Sequence, residues 1–262
     1  MSVGFLVASF LKEPAHYDSL LQCVSSILKF HTNRVIVVFN SQSYSALTAK
    51  AIETYKDCDQ VTIHVDPSHI SACNLVYTYF NEYKCFDVAI ILQDSMFLNC
   101  ALPLEDIGRV PDVMFLWHFT NHRVHWSDIK EPGSEYNKAH NIVTHDDLIL
   151  DAIRTYSRKP EFIKYCETAY PQKHTWVGSF GFTSIIHSGF LEKLNTQTDI
   201  LHILTHMNDN RQRRASESIF SIACNFVLGS PITGSFDGLY YDGVTYNNHN
   251  KGTYFSKISF GR

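Results

Sequence analysis

The first hundred residues alternate short apolar runs with longer amphipathic segments. Four apolar runs, typical of buried β-strands, lie at Val3–Ser9, 35–39, 61–65 and 88–92. Between them, apolar residues recur at helical spacing and predict three helices, marked by Leu20, Val24, Leu47, Ala51, Leu75 and Tyr79. Strands that alternate with helices predict an α/β fold, with a mostly parallel sheet flanked by helices on both faces.

The pattern changes after Asn99. The sequence predicts a core strand at 113–117, an irregular stretch at 118–145, a helix at 146–156, a strand at 183–187 and a helix at 215–228. Gly229 and Pro231 are expected to end that last helix. Residues 232–262 are rich in Gly, Asn and Tyr, which indicates ordered coil or short strands. No repeat or linker-like stretch divides the chain, so we expect a single continuous domain.

Composition narrows the function classes. Hydrophobic residues make up 45% of the chain, enough for a sizeable core, and the net charge of -4 disfavours nucleic-acid binding. The seven cysteines are odd in number and spread along the chain, which fits neither a disulfide framework nor a zinc ribbon. We find neither a signal peptide nor a membrane span, so we expect reduced thiols and a cytoplasmic protein.

Polar residues follow each of the first four predicted strands. In a parallel sheet these positions meet at one edge, where ligands of open α/β sheets bind. The alternative is that loops after strands are polar in any case. The residues concerned are Ser9, Phe10, Asn40, Ser41, Asp66, Ser68, Gln93, Asp94 and Ser95.

Several well-known catalytic and phosphate-binding motifs are absent from the sequence. No Gly-x-Gly-x-x-Gly follows the first strand, so a dinucleotide-binding Rossmann domain is not indicated. The chain also lacks a Gly-rich loop ending in Lys-Ser/Thr and a Gly-x-Ser-x-Gly elbow. These absences disfavour P-loop nucleotide hydrolysis and serine hydrolase chemistry.

The step Gln93-Asp94-Ser95 carries the most information. A carboxylate at the end of a buried strand can hold a hard divalent ion that bridges a diphosphate, although it can equally be a turn residue. This step, the segment Ser71-Ala72-Cys73-Asn74 and the strand order together resemble the GT-A nucleotide-sugar glycosyltransferases. The sequence departs from their pattern in two places: Asn40-Ser41 replaces an acidic residue after the second strand, and the metal motif keeps a single carboxylate.

The resemblance implies a GT-A-like glycosyltransferase. Such an enzyme moves a sugar from a nucleoside diphosphate donor, with UDP or GDP as the nucleotide, to a hydroxyl of a glycan or glycoprotein, here by an inverting route. It implies Mn²⁺ or Mg²⁺ as cofactor, held by Asp94 and His249. It also implies a set of nucleotide-binding residues: Ser9, Phe10, Asn40, Ser41, Asn74, Gln93 and Asp94.

The second half of the chain offers an acceptor side and a base. Aromatic residues beside glycines can stack on sugar rings, which points to Trp176, Gly178, Phe180 and Gly181; a core aromatic with a tight turn is the other reading. Glu217, predicted to open the 215–228 helix, is the candidate general base, and Asp209 is its reserve. The alternative for Glu217 is a carboxylate favoured by the helix dipole.

Basic residues could hold the diphosphate. Arg213, Arg214 and Lys251 are the candidates, and the segment 257–262 could also fold back over it. The resemblance then divides the chain into a nucleotide-binding half (1–110), an acceptor-binding half (111–228) and a C-terminal segment that packs over the site (229–262). Within the family, the chain looks most like small stand-alone transferases of large DNA viruses, which implies host cytoplasm or the virion.

Two other functions stay open. Because the acidic motifs have lost carboxylates, the sequence also fits a catalytically silent GT-A-like module that binds a glycan or a protein partner. A sugar-nucleotide nucleotidyltransferase shares the strand order, but its usual Gly-rich basic loop is missing after Ser9. His202 and His206 could bind zinc, although solvent-facing histidines are the better reading.

Overall fold

The computed structural model describes residues 1–107, 109, 112–120, 145–169, 177–207, 210–237, 239–241 and 249–258. The first part contains β1 (Val3–Ser9), α1 (Pro14–Phe30), β2 (Val35–Asn40), α2 (Ser45–Tyr55), β3 (Val61–Asp66), α3 (Ala72–Tyr83) and β4 (Val88–Gln93). It continues with β5 (Met96–Leu98), α4 (Leu104–Ile107), β6 (Val113–Phe115), β7 (Trp117–Thr120), α5 (His145–Tyr156) and α6 (Pro160–Ala169). The remainder contains β8 (Val177–Ser179), a 3-10 turn (Phe180–Phe182), β9 (Ser184–His187), α7 (Ser188–Thr198), α8 (Ile200–Thr205), α9 (Asn210–Leu228), β10 (Leu239–Tyr241), β11 (His249–Lys251) and β12 (Phe255–Ile258).

A six-stranded sheet with the order β3-β2-β1-β4-β9-β6 forms the centre of the molecule. Strands β1 to β4 run parallel to one another, and β9 is antiparallel to both of its neighbours, β4 and β6. The predicted α/β class, a mostly parallel sheet flanked by helices, is therefore confirmed. The parallel register also brings the ends of β1, β2, β3 and β4 to one edge of the sheet.

Alternate residues of the central strands point to opposite faces of the sheet. On one face, Leu6 and Ile91 pack with α3 and the helices of the second half. On the other face, Phe5 and Leu92 pack with α1 and α2. Burial on both faces explains why these strands read as continuous apolar runs and do not alternate with polar residues.

The C-terminal segment returns to the sheet edge through a small antiparallel sheet. Strand β12 pairs with both β11 and β5, and β5 follows directly after β4. Asp237 fixes this segment, because its carboxylate accepts hydrogen bonds from the backbone N–H groups of Thr253, Tyr254 and Phe255, each at 2.9 Å. The end of the chain is thereby held beside the residues that follow β4.

Three features of the second half differ from the sequence prediction. Helix α9 begins at Asn210, five residues before the predicted start, because its first turns are polar and gave no apolar periodicity. The strand predicted at 113–117 is divided at Leu116, since Trp117 joins a second sheet with β8 and β10. Helices α6 and α7 were not predicted, because polar residues closely interrupt their apolar positions, and α8 was not predicted because it is only six residues long.

All seven cysteines are free, as the sequence predicted. Burial raises the pKa of the Cys23, Cys166 and Cys224 thiols well above the ordinary value. These three side chains therefore stay protonated inside the core. Among the described helices, none has the length and apolar character that crossing a membrane requires.

A buried histidine makes the stability of the fold depend on pH. The backbone N–H of Leu102 donates to Nε2 of His31 at 3.0 Å, so the ring must be neutral there, and burial lowers the His31 pKa below 6.5. Over the pH range between the two pKa values, His31 is protonated in the unfolded chain and neutral in the folded chain. The contribution of His31 is therefore complete above about pH 6.5 and declines as the pH falls below that value.

We expect His31→Gln to flatten this dependence, because the Gln Oε1 can accept the same N–H without taking up a proton. The free energy of unfolding, measured in urea between pH 7 and pH 5, should fall less steeply in the variant than in the wild type. The exposed His69 provides the control, since His69→Gln should keep the wild-type slope. Equal slopes for His31→Gln and wild type would contradict the assignment.

Candidate functional site at the switch point between β1 and β4

The strand order creates a crevice at one place in the sheet. From β1 the chain moves outward to β2 and β3, and it then returns to the other side of β1 with β4. The segment that leaves β1 leads into α1, and the segment that leaves β4 leads into β5, whose Leu98 N–H donates to Ser26 Oγ of α1 at 2.9 Å. At such a topological switch point the carboxyl ends of the two strands leave a crevice in which α/β proteins bind ligands. Ser9, Phe10, Gln93 and Asp94 lie at this point.

Asp94 connects the two sides of the crevice. Its Oδ2 accepts hydrogen bonds from Ser9 Oγ at 2.9 Å and from the Phe10 backbone N–H at 3.1 Å. The Asp94 backbone continues the ladder, since its N–H donates to the Ala8 carbonyl at 3.1 Å and its carbonyl accepts from Ser19 Oγ at 2.9 Å. The Asp94 side chain is only 5% exposed, so it fixes the loop after β1 with charge-assisted hydrogen bonds.

A buried, neutral cysteine packs beneath Asp94. Cys23 of α1 is fully buried and its thiol donates to the Gln93 carbonyl at 3.7 Å. Burial raises the pKa of this thiol, and the negative charge of Asp94 raises it further. The charge at the end of β4 is therefore carried by Asp94 alone on this side, and Cys23 stays a neutral support.

An unpaired acceptor lies at the end of β2. Asn40 is 2% exposed, and its Nδ2 donates to the Ile70 carbonyl at 2.8 Å. Its Oδ1 has no hydrogen-bond partner among the described residues. The adjacent Ser41 is exposed, donates to the Ser68 carbonyl at 2.8 Å and lies 3.0 Å from His69 Nδ1. A buried acceptor without a donor costs about 1–3 kcal/mol, which a ligand N–H or O–H would recover.

A buried lysine reaches the end of β4 from the C-terminal strand. Lys257 lies opposite Met96 in the β12–β5 pair and is only 6% exposed. Its Nζ donates to Gln93 Oε1 and lies 4.8 Å from the centre of the Trp117 ring. The indole face and the amide oxygen are both attractive to a cation. These contacts bring an ammonium to the edge of the sheet at Gln93, the residue before Asp94.

Gly181 allows the 3-10 turn to approach Gln93. This glycine has φ of +63°, and a Cβ there would lie 2.5–2.7 Å from the side-chain atoms of Gln93. Tyr77 holds the turn in place, because its hydroxyl donates to the Phe182 carbonyl at 2.6 Å and contacts Ser184 Oγ at 2.7 Å. Gly181 therefore has a packing role against Gln93, at a position the sequence had assigned to an acceptor.

Two assigned residues take positions that the sequence did not indicate. Asn74 is fully buried, its Nδ2 donates to the Leu204 and Met207 carbonyls, and its Oδ1 accepts from Ser216 Oγ. It therefore joins α3 to α8 and α9, and this placement gives no support to a nucleotide contact. Glu217 lies well inside α9, so the prediction that it opens a helix is wrong.

The Glu217 backbone is connected to β8 through Ser221. One turn further along, Ser221 Oγ donates to the Glu217 carbonyl at 2.9 Å and accepts the Ser179 backbone N–H at 2.7 Å. Ser179 ends β8, and the turn that follows contains Gly181. The face of α9 that carries Glu217 is thus connected through β8 to Gln93.

The remaining assigned residues are only partly located. Gly178 is buried on β8 opposite Phe119. Asp209 and Trp176 lie outside the described residues. The backbones of five further residues belong to described elements, but their side chains lie outside what the structure describes; these are Phe180, Arg213, Arg214, His249 and Lys251.

Among the described residues, side chains of the protein alone do not form a metal site. They contain no group of three His, Cys, Asp or Glu side chains that could hold a metal. Of the two assigned metal ligands, the His249 side chain lies outside what the structure describes, and Asp94 Oδ2 accepts two protein hydrogen bonds. The Lys257 ammonium on the neighbouring Gln93 Oε1 would repel a second cation placed there.

The sequence placed Ser9, Asn40 and Asp94 at one edge of the sheet, but it did not indicate that Trp117 and Lys257 lie there too. Trp117 was assigned only to a core strand, and Lys257 was named only within a tail segment while Lys251 was preferred. The pairing of β12 with β5 joins positions far apart in the chain, and no local pattern signals it. The single lysine within the short segment Phe255–Ile258 was the available hint.

Comparisons with known proteins found structural likeness only at a low level. No known family profile and no curated protein sequence matches the chain. Residues 1–349 of S. aureus TarS in complex with UDP superpose with a TM-score of 0.42 and 11% identity, covering 85% of this chain and 56% of that one. The apo structure of the bifunctional glycosyltransferase WbbM gives 0.43 and 10% identity, covering 82% and 37%.

A second TarS structure, with UDP-GlcNAc, gives a TM-score of 0.38 at 11% identity and covers 80% of this chain and 55% of that one. The chain thus spans little more than half the length of the TarS fragment. The fold is defined by its own sheet topology and strand register.

We expect Gly181→Ala to destabilise the protein more than Gly229→Ala. Both glycines have a similar positive φ, +63° and +68°, which costs an alanine about 1–2 kcal/mol. A Cβ at Gly229 meets nothing within 4 Å, whereas at Gly181 it would push Gln93 away from Lys257. Urea unfolding of the two variants measures the difference, and equal losses would show that the contact with Gln93 is unimportant.

Proposed function

We propose that the protein is a glycosyltransferase that moves a sugar from a nucleoside diphosphate sugar to a hydroxyl acceptor. The observation that carries this proposal is the arrangement of polar groups at one edge of the sheet. Between β1 and β4, Ser9 and Phe10 donate hydrogen bonds to Asp94. At the end of β2, the buried Asn40 Oδ1 has no donor among the described residues. The choice of a nucleotide sugar over other ligands comes from the resemblance at Gln93-Asp94-Ser95.

The donor fits this edge in one direction. The base and ribose lie toward β2, where Asn40 Oδ1 can accept an N–H or O–H and where Ser41 is exposed. The diphosphate then lies toward β4, over the loop of Ser9 and Phe10. The choice of UDP or GDP as the nucleotide comes from the resemblance, and the ring N–H donors of both bases are compatible with the Asn40 acceptor.

The transfer step needs a base on the acceptor side. Glu217 accepts the proton of the acceptor hydroxyl while that oxygen bonds to the anomeric carbon. The bond from the anomeric carbon to the diphosphate oxygen breaks, and its electron pair leaves with the nucleoside diphosphate. Attack opposite the leaving group inverts the anomeric centre. Support for Glu217 comes from its partial exposure and from the connection of its helix face to Gln93 through β8.

We expect nucleotide binding to stabilise the wild-type protein. A ligand at one hundred times its Kd adds about 2.7 kcal/mol to the free energy of unfolding, which raises Tm by roughly 5–10 °C in a chain of this size. A thermal-shift series with UDP and GDP measures this. No shift with either nucleotide would contradict the proposed function.

Asn40→Ala should weaken nucleotide binding by about fivefold to a hundredfold, the loss expected when a buried hydrogen bond to the ligand is removed. The control is Asn33→Ala. Asn33 Nδ2 also donates to a backbone carbonyl, that of Val3 at 2.8 Å, but at the opposite end of the strands. Asn33→Ala should lower Tm and leave the nucleotide Kd unchanged. Equal effects of the two variants on Kd would refute the contact.

Glu217→Gln should lower turnover by roughly a hundredfold to ten-thousandfold while the donor Kd stays within twofold, because Gln keeps the size but cannot take the proton. Release of the nucleoside diphosphate from a nucleotide sugar provides the assay. Glu192→Gln, at an exposed glutamate paired with Lys84, is the control and should behave as wild type. Full turnover in Glu217→Gln rejects the base assignment, and nucleotide binding without turnover in the wild type identifies a silent binding module.

A further inference from the structure

The Lys257 ammonium is buried and held in one place. The side chain is 6% exposed, and lysines are seldom buried to this degree because removing the charge from water is costly. Gln93 Oε1 and the face of Trp117 fix its position. Gln93 itself is partly exposed at the end of β4, so the ammonium is held at the edge of the sheet and not inside it.

The strand that carries Lys257 is rigidly attached. The Ile258 N–H donates to the Ser95 carbonyl at 2.9 Å, one residue beyond Asp94. Ser256 Oγ donates to Asn99 Oδ1 at 2.8 Å. Asp237 accepts three backbone N–H groups just before the strand. A charged group fixed by this many contacts is pre-organised for a ligand, since its orientation costs nothing further when the ligand binds.

The charges at this edge require such a cation. A donor diphosphate placed over Ser9 and Phe10 would lie near the Asp94 carboxylate, and the two would repel each other. A metal-dependent transferase resolves this repulsion with a divalent ion, which also neutralises the charge on the leaving diphosphate. At this edge Asp94 Oδ2 already accepts the Ser9 hydroxyl and the Phe10 N–H, and the cation that the structure places at the end of β4 is the Lys257 ammonium on Gln93 Oε1.

We propose that the Lys257 ammonium contacts the donor diphosphate and takes the place of a divalent ion in this protein. The proposal rests on the proposed function, because it presupposes a nucleoside diphosphate donor. Lys257 neutralises the diphosphate in the bound state and stabilises it as it leaves with the bonding electron pair. Nucleotide binding and sugar transfer then proceed without added metal.

The test compares each nucleoside diphosphate with its nucleoside. Calorimetry measures Kd for UDP, uridine, GDP and guanosine in EDTA and again in Mn²⁺. We expect the wild type to bind one nucleoside diphosphate at least tenfold more tightly than its nucleoside, with the same Kd in EDTA and in Mn²⁺. In Lys257→Met, the Kd of the nucleoside diphosphate should rise tenfold or more, and the Kd of the nucleoside should stay within twofold of wild type. Lys84→Met, at an exposed lysine, is the control and should match wild type.

Several results would overturn the inference. Lys257 is only a packing residue if Lys257→Met binds the nucleoside diphosphate with the wild-type Kd. The same conclusion follows if the variant raises the Kd values of the nucleoside diphosphate and the nucleoside equally. A diphosphate affinity in wild type that rises tenfold with Mn²⁺ and is lost in EDTA assigns the role to a metal. If Lys257→Met does not fold, Lys257→Gln, which keeps a hydrogen-bond donor without charge, provides the same comparison. A wild type that binds no nucleotide rejects the proposed function and this inference together.

Discussion

The hydrogen bonds from Ser9 and Phe10 to the Asp94 carboxylate are the interaction on which the site depends. Strands β1 and β4 are neighbours in the sheet, and contacts across the switch point join the residues that follow the two strands. Asp94 makes those contacts and is nearly buried while doing so. Hydrogen bonds to a charged group contribute about 1.5–3 kcal/mol each, enough to hold a loop in one conformation. The shape of the crevice therefore follows from one carboxylate.

The same carboxylate sets the electrostatics of the edge. A buried negative charge favours a nearby cation and disfavours an anionic ligand unless that cation is shared. Strand β12 supplies an ammonium beside Gln93, the residue before Asp94. The C-terminal segment is thus part of the site because of its charge as well as its packing. In the proposed function, this ammonium is the group that would let a chain with a single carboxylate after β4 bind a diphosphate.

The sequence predicted the first half of the fold well, because local patterns determine it. Apolar runs marked β1 to β4, and the rule for parallel sheets then placed Ser9, Asn40 and Asp94 at one edge. It could not predict that Asn74 turns inward to bind the backbone of α8, since the short motif around it looks the same in either role. Lys257 reaches the site only through the long-range pairing of β12 with β5, which leaves no local signal.

The most direct test of the account is a crystal structure of the protein with UDP or GDP, grown without divalent metal. The account predicts the diphosphate at the carboxyl ends of β1 and β4, with an oxygen about 2.7–2.9 Å from Lys257 Nζ, the range of charge-assisted hydrogen bonds. It also predicts a donor group of the nucleoside against Asn40 Oδ1. A nucleotide bound elsewhere on the protein, or one at this edge with no phosphate oxygen within hydrogen-bond distance of Lys257 Nζ, would contradict it.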